Sequence, residues 1–182
     1  MKKHTWMTGC LLTALAIGAC KGQQSPSVEA TAPGEYMIEC TYGDGIQRMM
    51  PYDYSDTLAI GAHRYAYSIH REAADSLPTV KDDGGTVYAD NAYHLIVRRD
   101  GKQLLDRHFT KRSFARYLSA DMREKGILDG MMRDGALPGL AFAISVSLPQ
   151  SDMLEPLLLK VDATGGISIE RDQRSENDFE DE

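Results

Sequence analysis

Strict alternation between apolar and small or polar residues over positions 140–148 restricts the fold more than any other feature. The apolar residues at every second position are Leu140, Phe142, Ile144, Val146 and Leu148. Successive side chains of a strand point to opposite faces, so this period of two predicts a strand with one buried face. The turn PQSD, the apolar run MLEPLLLKVD, the turn ATGG and the short segment ISIER follow. Together they predict a three-stranded antiparallel meander.

A second hairpin is predicted within AYHLIVRRDGKQLLDRHF, because Asp100-Gly101 can adopt the positive φ values of a type I′ turn. A loop of these two residues would place Val97 opposite Leu104. Counting outward along both strands, the same loop would pair Ile96 with Leu105, Leu95 with Asp106 and Tyr93 with His108. Residues 58–70 predict a further strand, residues 35–42 predict a weaker one, and Pro156 is expected near a strand end, a bulge or an edge.

One segment departs from the β pattern. In SFARYLSADMREKG, apolar side chains recur at helical spacing, and Gly126 is placed to end a helix. The next segment, ILDGMMRDGALPG, contains two Asp-Gly pairs and is expected to be irregular, with a short hairpin as the alternative. We therefore predict a mainly β fold, an antiparallel sheet or meander of about six to seven strands with one amphipathic helix, with α+β as the alternative.

The N-terminus has the layout of a secretory signal peptide, with Lys2 and Lys3 before an apolar stretch that ends near Ala19. The sequence Ile17-Gly18-Ala19-Cys20 resembles a bacterial lipobox. This resemblance implies cleavage before Cys20 and attachment of acyl chains to its thiol. An ordinary signal peptide with an incidental cysteine is the alternative, and Cys10 is a weaker candidate for lipidation because cleavage there would leave most of the apolar run behind.

The sequence divides into four segments of different character. We predict a lipoprotein signal peptide at 1–19, a flexible tether at 20–34, a single β-rich domain at 35–169 and an acidic, disordered tail at 170–182. Removal of the signal peptide would change the formal charge from −7 to about −9, which argues against binding to nucleic acid. Cys40 would then have no disulfide partner and is expected to be a small buried residue.

The stretch from KDDGGTVYADN through the Asp-Gly hairpin to FTKRSF, together with the closing meander, resembles a family of uncharacterised lipoproteins from Bacteroides-type bacteria. The shared features are Asp-Asn before a strand, the Asp-Gly hairpin, Phe-Thr-Lys before a helix and the final meander. The resemblance implies a small β-rich lipoprotein domain and brings no catalytic residues with it.

No residue is assigned as catalytic, cofactor-binding or metal-ligating, and no cofactor is expected. Calcium could be held by oxygen ligands from Asp82, Asp83, Asp90 and Asn91, but aspartates beside glycines are more often solvated turn formers. His63 and His70 would lie on opposite faces of a regular strand. Asp106 and His108 would share a face near Tyr93, as a base and its orienting carboxylate would, although a polar strand face explains them as well.

Three functions are compatible with these patterns. The leading hypothesis is a non-enzymatic accessory or binding domain of the cell envelope, anchored through Cys20 at the outer membrane and facing the periplasm, with surface exposure left open. Its candidate partners are an envelope protein or a glycan. The first alternative is an exported hydrolase whose carboxylates meet only in the fold. The second is capture of a glycan or small ligand by exposed tyrosines, with candidates Tyr52, Tyr54, Tyr65 and Tyr67.

The lipid anchor can be tested with one substitution. We expect Cys20→Ser to abolish retention in the membrane fraction, because two or three acyl chains supply stable anchoring and their attachment needs the thiol. Fractionation and immunoblotting of cells that express the full chain would measure this. Cys10→Ser is the matched control and should leave retention unchanged; a Cys20→Ser protein that still sediments with membranes would contradict the anchor.

Overall fold

The computed structural model describes residues 43–174. The expected signal peptide, Cys20, the tether, Cys40 and the weak strand at 35–42 lie outside the described residues, as does most of the acidic tail. Within residues 43–174 no helix is long and apolar enough to cross a membrane.

The described residues form eleven strands and only short helical segments. The strands are β1 (Ile46–Gln47), β2 (Tyr52–Ile60), β3 (His63–Ala73), β4 (Val80–Lys81), β5 (Val87–Tyr88), β6 (Asn91–Arg99), β7 (Lys102–Thr110), β8 (Ile127–Arg133), β9 (Leu140–Ser147), β10 (Leu154–Val161) and β11 (Ile167–Arg171). The helical segments are α1 (Lys111–Phe114), a 3₁₀ turn (Ala115–Tyr117) and α2 (Ala120–Lys125). The mainly β prediction is confirmed, with more strands than expected.

Two antiparallel four-stranded sheets carry the fold. The first has the order β2-β3-β6-β7 and the second has the order β11-β10-β9-β8. A small third sheet, β1-β5-β4, contains a parallel pair between β1 and β5. Side chains from both four-stranded sheets and from α1 and α2 form one buried apolar cluster, in which Tyr67 meets Phe142 edge-to-face at 5.5 Å between ring centroids.

The C-terminal meander is confirmed. Strand β9 covers the alternating segment, and its apolar residues from Leu140 to Val146 are buried against the first sheet. Pro156 is the third residue of β10 and lies one residue before the pairing with β11 begins, so its missing N–H interrupts no ladder there. Strand β11 continues to Arg171, so its last two residues lie in the segment predicted as the tail.

The Asp100-Gly101 loop is confirmed, but the register beyond it differs from the prediction. Both residues have positive φ, 51° and 80°, as a type I′ turn requires. The pairing then shifts between Val97 and Arg98, so that Val97 pairs with Leu105 and not with Leu104. One extra residue in β7 moves every later partner by one position, and His108 therefore pairs with His94 and not with Tyr93.

Three other sequence expectations were wrong. Residues 58–70 are not one strand, because a turn at Gly61 separates β2 from β3. The predicted single helix is divided, since Leu118 is extended and Ser119 caps a new helix by accepting the Met122 N–H. The segment expected to be irregular contains β8, an edge strand of the second sheet.

The bulged region of β7 is in contact with the loop between β10 and β11. Gly165 has φ 87°, and a Cβ added there would collide with the backbone oxygen of Leu104. Gly139 has a similar φ of 83°, but a Cβ added there would meet nothing within 4 Å. A comparison of alanine substitutions at Gly139 and Gly165 therefore separates the free-energy cost of a left-handed backbone from the cost of a steric overlap.

We expect Gly139→Ala to cost about 1–2 kcal/mol of unfolding free energy, from the left-handed backbone alone. Gly165→Ala should cost a further 1–3 kcal/mol or so, because overlap with the Leu104 carbonyl forces the loop away from β7. Urea unfolding of both variants would measure the difference. Equal losses would show that the loop does not pack on the β7 bulge.

Candidate functional site

The most irregular part of the second sheet lies in β8. Leu128 pairs with Val146, whereas Gly130 pairs with Ser145, so Asp129 is an extra residue in the strand. Such a bulge redirects the side chain of the inserted residue and is common beside functional sites. Asp129 is nonetheless buried, with 7% of its surface exposed.

Asp90, just before β6, and Asn91, its first residue, hold the backbone on the N-terminal side of this bulge. The Leu128 N–H donates to Asp90 Oδ1 at 2.8 Å, and Asn91 Nδ2 donates to the Leu128 carbonyl at 2.9 Å. Asp90 is 4% exposed and Asn91 is fully buried. Lys111 lies 3.6 Å from the second oxygen of Asp90 and offsets its charge. The Asp-Asn pair therefore joins the two sheets.

Two further side chains of the first sheet bind the carbonyl of the bulged residue itself. Tyr93 donates its hydroxyl to the Asp129 carbonyl at 2.6 Å, and Arg71 donates to the same oxygen at 3.3 Å. Arg71 also donates to the Met50 carbonyl at 2.9 Å and lies over the Tyr52 ring. The backbone of Asp129 is thus fixed by the opposite sheet, and these bonds do not involve its carboxyl group.

The Asp129 carboxyl is supported on one oxygen only. Ser145 donates its hydroxyl to Oδ1 at 2.7 Å. This contact needs Gly130, because a Cβ on that residue would collide with the Ser145 hydroxyl. The second oxygen, Oδ2, is buried without a hydrogen-bond partner in the described part of the chain, and so is the Ser147 hydroxyl. Unpartnered buried polar atoms are costly, and in native proteins they often mark a functional role.

Asp129 and Ser147 are among the residues that line a cavity of about 340 Å³. This volume is within the usual range of small-ligand sites. The walls consist of Met49, Ile127, Asp129, Ser147, Leu148, Pro149, Gln150, Ser151 and Asp152. The cavity therefore combines apolar walls with a small group of convergent polar atoms, the composition typical of a binding pocket.

Burial raises the pKa of the Asp129 carboxyl, while the neighbouring hydroxyls of Ser147 and Ser145 and the charge of Arg71 act in the opposite direction. The Ser147 hydroxyl lies beside the carboxyl without the geometry of a hydrogen bond. A carboxyl whose pKa is raised by burial inside a cavity is a candidate functional group. Asp152, the other acidic residue of the cavity wall, is exposed.

His70, His94 and His108 lie on the outer face of the first sheet, whereas His63, at the start of β3, lies on the opposite face as expected and contacts Asp100. The register places Asp53, His70, His94 and His108 in one row across the four strands. His94 stacks on His108 with 4.0 Å between ring centroids, and its Nε2 lies 2.7 Å from Asp106 Oδ1. Asp53, at 2.7 Å from Nδ1, raises the pKa of His70. The Asp106–histidine contact therefore exists, but with His94 and not with His108.

The aspartates considered for calcium are engaged in local hydrogen bonds. Asp82 accepts the Thr86 N–H at 2.8 Å and the Tyr88 hydroxyl at 3.0 Å, while Asp83 pairs with Lys125. Asp90 belongs to the contacts between the sheets. Among residues 43–174, no three His, Cys, Asp or Glu side chains are arranged to hold a metal ion.

The four tyrosines considered for ligand binding divide into two pairs. Tyr65 and Tyr67 are buried in the core, at 5% and 4% exposure. Tyr52 and Tyr54 remain exposed on the edge strand β2, with their rings nearly parallel and 6.4 Å apart between centroids. A four-ring aromatic surface is therefore absent from the described residues, and two rings remain available.

Asp129 and Ser147 were not identified from the sequence. The Asp129-Gly130 pair was taken as part of an irregular segment, because Asp-Gly is common in turns. The apolar residues on both sides, Ile127-Leu128 and Met131-Met132, are the feature that could have indicated a buried strand with a bulge. Ser147 was predicted to lie on the polar face of its strand, and it does lie on that face. The face is nonetheless buried at Ser147.

The fold and its cavity define a small two-sheet β domain with a ligand-sized pocket at a bulged edge strand. Residues 33–169 match a protein family described as a domain of unknown function, DUF4738. The match covers most of the chain, and the protein belongs to this family. A comparison with curated proteins gave no match.

The raised pKa of Asp129 predicts a stability cost. Above the ordinary aspartate pKa of 3.8, the unfolded chain ionises more readily than the folded one, so the stability of the fold falls as pH rises through the native pKa. Asp129→Asn removes this loss and should raise Tm at pH 7, with the gap closing near pH 4.

Calorimetry of both proteins across this pH range would measure the effect. Asp152→Asn is the matched control, because Asp152 is an exposed residue of the same cavity and its substitution should leave Tm unchanged. A constant difference at all pH values would mean that the titration of Asp129 is not its source.

Proposed function

We propose that this protein is an exported, lipid-anchored binding domain, held at the outer membrane by acyl chains on Cys20 and facing the periplasm. The observation that carries the binding role is a ligand-sized cavity whose wall combines apolar residues with the buried polar residues Asp129 and Ser147. Pockets of this size and composition are typical of small-ligand sites. The lipobox-like sequence supports the anchor, and the negative charge disfavours nucleic acid as a partner.

Binding without catalysis is favoured by the way the fold uses its titratable side chains. Asp90 and Arg71 are committed to contacts between the sheets, and His70 and His94 are paired with carboxylates on the opposite outer face. Among residues 43–174, the cavity wall contains no histidine, cysteine, lysine or arginine. The polar groups that these described residues bring to the wall are carboxyl, hydroxyl, amide and thioether groups.

An exported hydrolase is the second candidate, because two carboxyls line the same cavity. Asp129 is buried with a raised pKa, whereas Asp152 is exposed, and such different environments can separate an acid from a base. In that case Asp129 would donate a proton and Asp152 would activate water. Turnover of a chromogenic glycoside panel that disappears in both Asp129→Asn and Asp152→Asn would favour the hydrolase over the binding domain.

Photo-crosslinking in cells can test the binding role directly. A photoreactive amino acid in place of Gln150, an exposed residue of the cavity wall, should attach to the bound molecule on illumination. The same amino acid at Lys102, on the distant β6–β7 hairpin, is the matched control. Intact-mass measurement of the purified protein would identify the adduct.

We expect an adduct from position 150 that is absent from position 102 and is lost when Asp129→Asn is added. This result would place the ligand in the cavity, because the second substitution changes only the polar group that faces it. The same products from both positions, or none from position 150, would contradict a ligand-binding role for the cavity.

A further inference from the structure

We propose that residues 36–42, which precede the described residues, pair with the free edge of β2 as an additional antiparallel strand of the first sheet. The occupant of this edge is then a segment of the same chain, and a second copy of the protein is the alternative that the experiment separates. The inference concerns the sheet edge and does not depend on the proposed binding role of the cavity.

The first argument comes from the edge itself. In the described part of the chain, β2 pairs on one side only, with β3, and this pairing runs without a bulge over all nine residues of β2. A long, regular edge strand presents a row of backbone N–H and C=O groups with which another strand can pair. The other edges of the two large sheets are less open, because β7 and β8 contain bulges and β11 has only five residues.

The second argument comes from the side chains of β2. Tyr54 lies opposite Ile69 and Leu58 lies opposite Tyr65, so the even-numbered residues of β2 share the face that carries the core. On this face Tyr52 and Tyr54 are nonetheless 38% and 44% exposed. A further strand beside β2 would cover part of both rings, and the removal of apolar surface from water stabilises the folded state.

The third argument comes from the sequence before Gly43. In residues 35–42, EYMIECTY, the even-numbered positions are Tyr36, Ile38, Cys40 and Tyr42, and polar residues occupy most of the odd-numbered positions. This period of two predicts a strand with one buried face. The segment lies inside the family match, which begins at residue 33. It is therefore part of the domain that defines the family.

The path of the chain gives the direction of the added strand. β2 starts, β3 ends and β6 starts at the same end of the first sheet, because these strands are antiparallel neighbours. β1 lies at this end as well, since the Gln47 carbonyl accepts the N–H of Ala89, two residues before β6. Gly43 comes three residues before β1, which is at most about 10 Å of extended chain. A strand that ends here and follows the edge of β2 is antiparallel to β2.

Strand parity limits the possible registers. Even-numbered residues of the segment pair with even-numbered residues of β2, because a shift of one residue would turn the apolar side chains to the outer face. A register with Tyr42 opposite Tyr52 satisfies this condition. It places Cys40 opposite Tyr54, so that an apolar side chain covers each exposed ring.

The charges of both segments disfavour the neighbouring registers. A shift of two residues in one direction would place Glu39 opposite Asp53, and like charges directly opposite each other destabilise a strand pair. The same shift in the other direction would place the thiol of Cys40 opposite the carboxylate of Asp56. In the proposed register Glu39 lies opposite Ser55, which has no charge.

The native Cys40 makes this pairing testable. Tyr54→Cys would place two thiols on directly opposite residues, whose Cα atoms lie about 4.5–5.5 Å apart, within the range that a disulfide requires. Ser55→Cys is the matched control, because side chains at position 55 point to the other face of the sheet. The full chain, purified in detergent, is oxidised, and the linked peptides are identified by non-reducing electrophoresis and mass spectrometry.

We expect an intramolecular disulfide between Cys40 and the new thiol at position 54, and none from position 55. A disulfide that joins two chains through position 54 would overturn the assignment in favour of a second copy. No disulfide from position 54, or equal formation from positions 54 and 55, would also overturn it. Tyr52→Cys and Asp56→Cys extend the series, and a disulfide from either in place of position 54 would support the strand but overturn the register.

A second measurement needs no new cysteine. Ile38→Ala should lower Tm, because the proposed strand turns this side chain toward the core, where a large-to-small substitution loses buried contacts. Met37→Ala is the matched control on the outer face and should leave Tm nearly unchanged. Equal Tm values for the two variants would contradict a strand with Ile38 on its buried face.

Discussion

The fold depends on a group of polar contacts that fasten the β8 bulge to the opposite sheet. Asp90 and Asn91 bind the backbone of Leu128, while Tyr93 and Arg71 bind the carbonyl of Asp129. Hydrophobic packing between two sheets tolerates small sliding movements, but these bonds have preferred lengths and angles. They therefore fix the relative position of the sheets at one end. The same contacts set the direction of the Asp129 side chain, so the shape of the cavity follows from them.

This arrangement explains why the carboxyl can remain partly unsatisfied. The backbone polar groups around the bulge are paired across the sheets, Ser145 satisfies one oxygen, and Gly130 leaves the space that Ser145 needs. Buried groups of this kind are retained in proteins at a cost in stability when function requires them. Asp129 has this character in the described structure. The candidate site thus results from the packing of the sheets, and the surrounding hydrogen bonds offset the stability lost by burying Asp129.

Much of the fold could be predicted because the relevant patterns are local. The alternation in β9 and the Asp100-Gly101 turn each depend on a few neighbouring residues, and both were confirmed. The register of β7 could not be predicted, since a bulge at Leu104 leaves no pattern in the sequence and displaces every later pair. The division of the helix at Ser119 was missed because helical spacing continues across the break. Local periodicity therefore predicts elements better than their junctions.

The cavity could not be predicted from the sequence for a related reason. Asp-Gly pairs favour turns and bulges alike. At Asp129 the bulge is stabilised by contacts with Asn91 and Tyr93, which are more than thirty residues away in the sequence. Ser147 shows the polar parity of its strand, but which end of a strand face is covered depends on the packing of other segments. The environments of Asp129 and Ser147 are both defined by long-range contacts, and the periodicity of the sequence contains no information about such contacts.

The position of Met49 has a mechanical consequence. Met49, a wall residue of the cavity, lies between Arg48, which pairs with Asp75, and Met50, whose carbonyl accepts from Arg71 of β3. The sulfur of Met49 itself accepts from Asn91 of β6. A displacement of this segment would therefore move a wall of the cavity and strain its bonds to the first sheet at the same time.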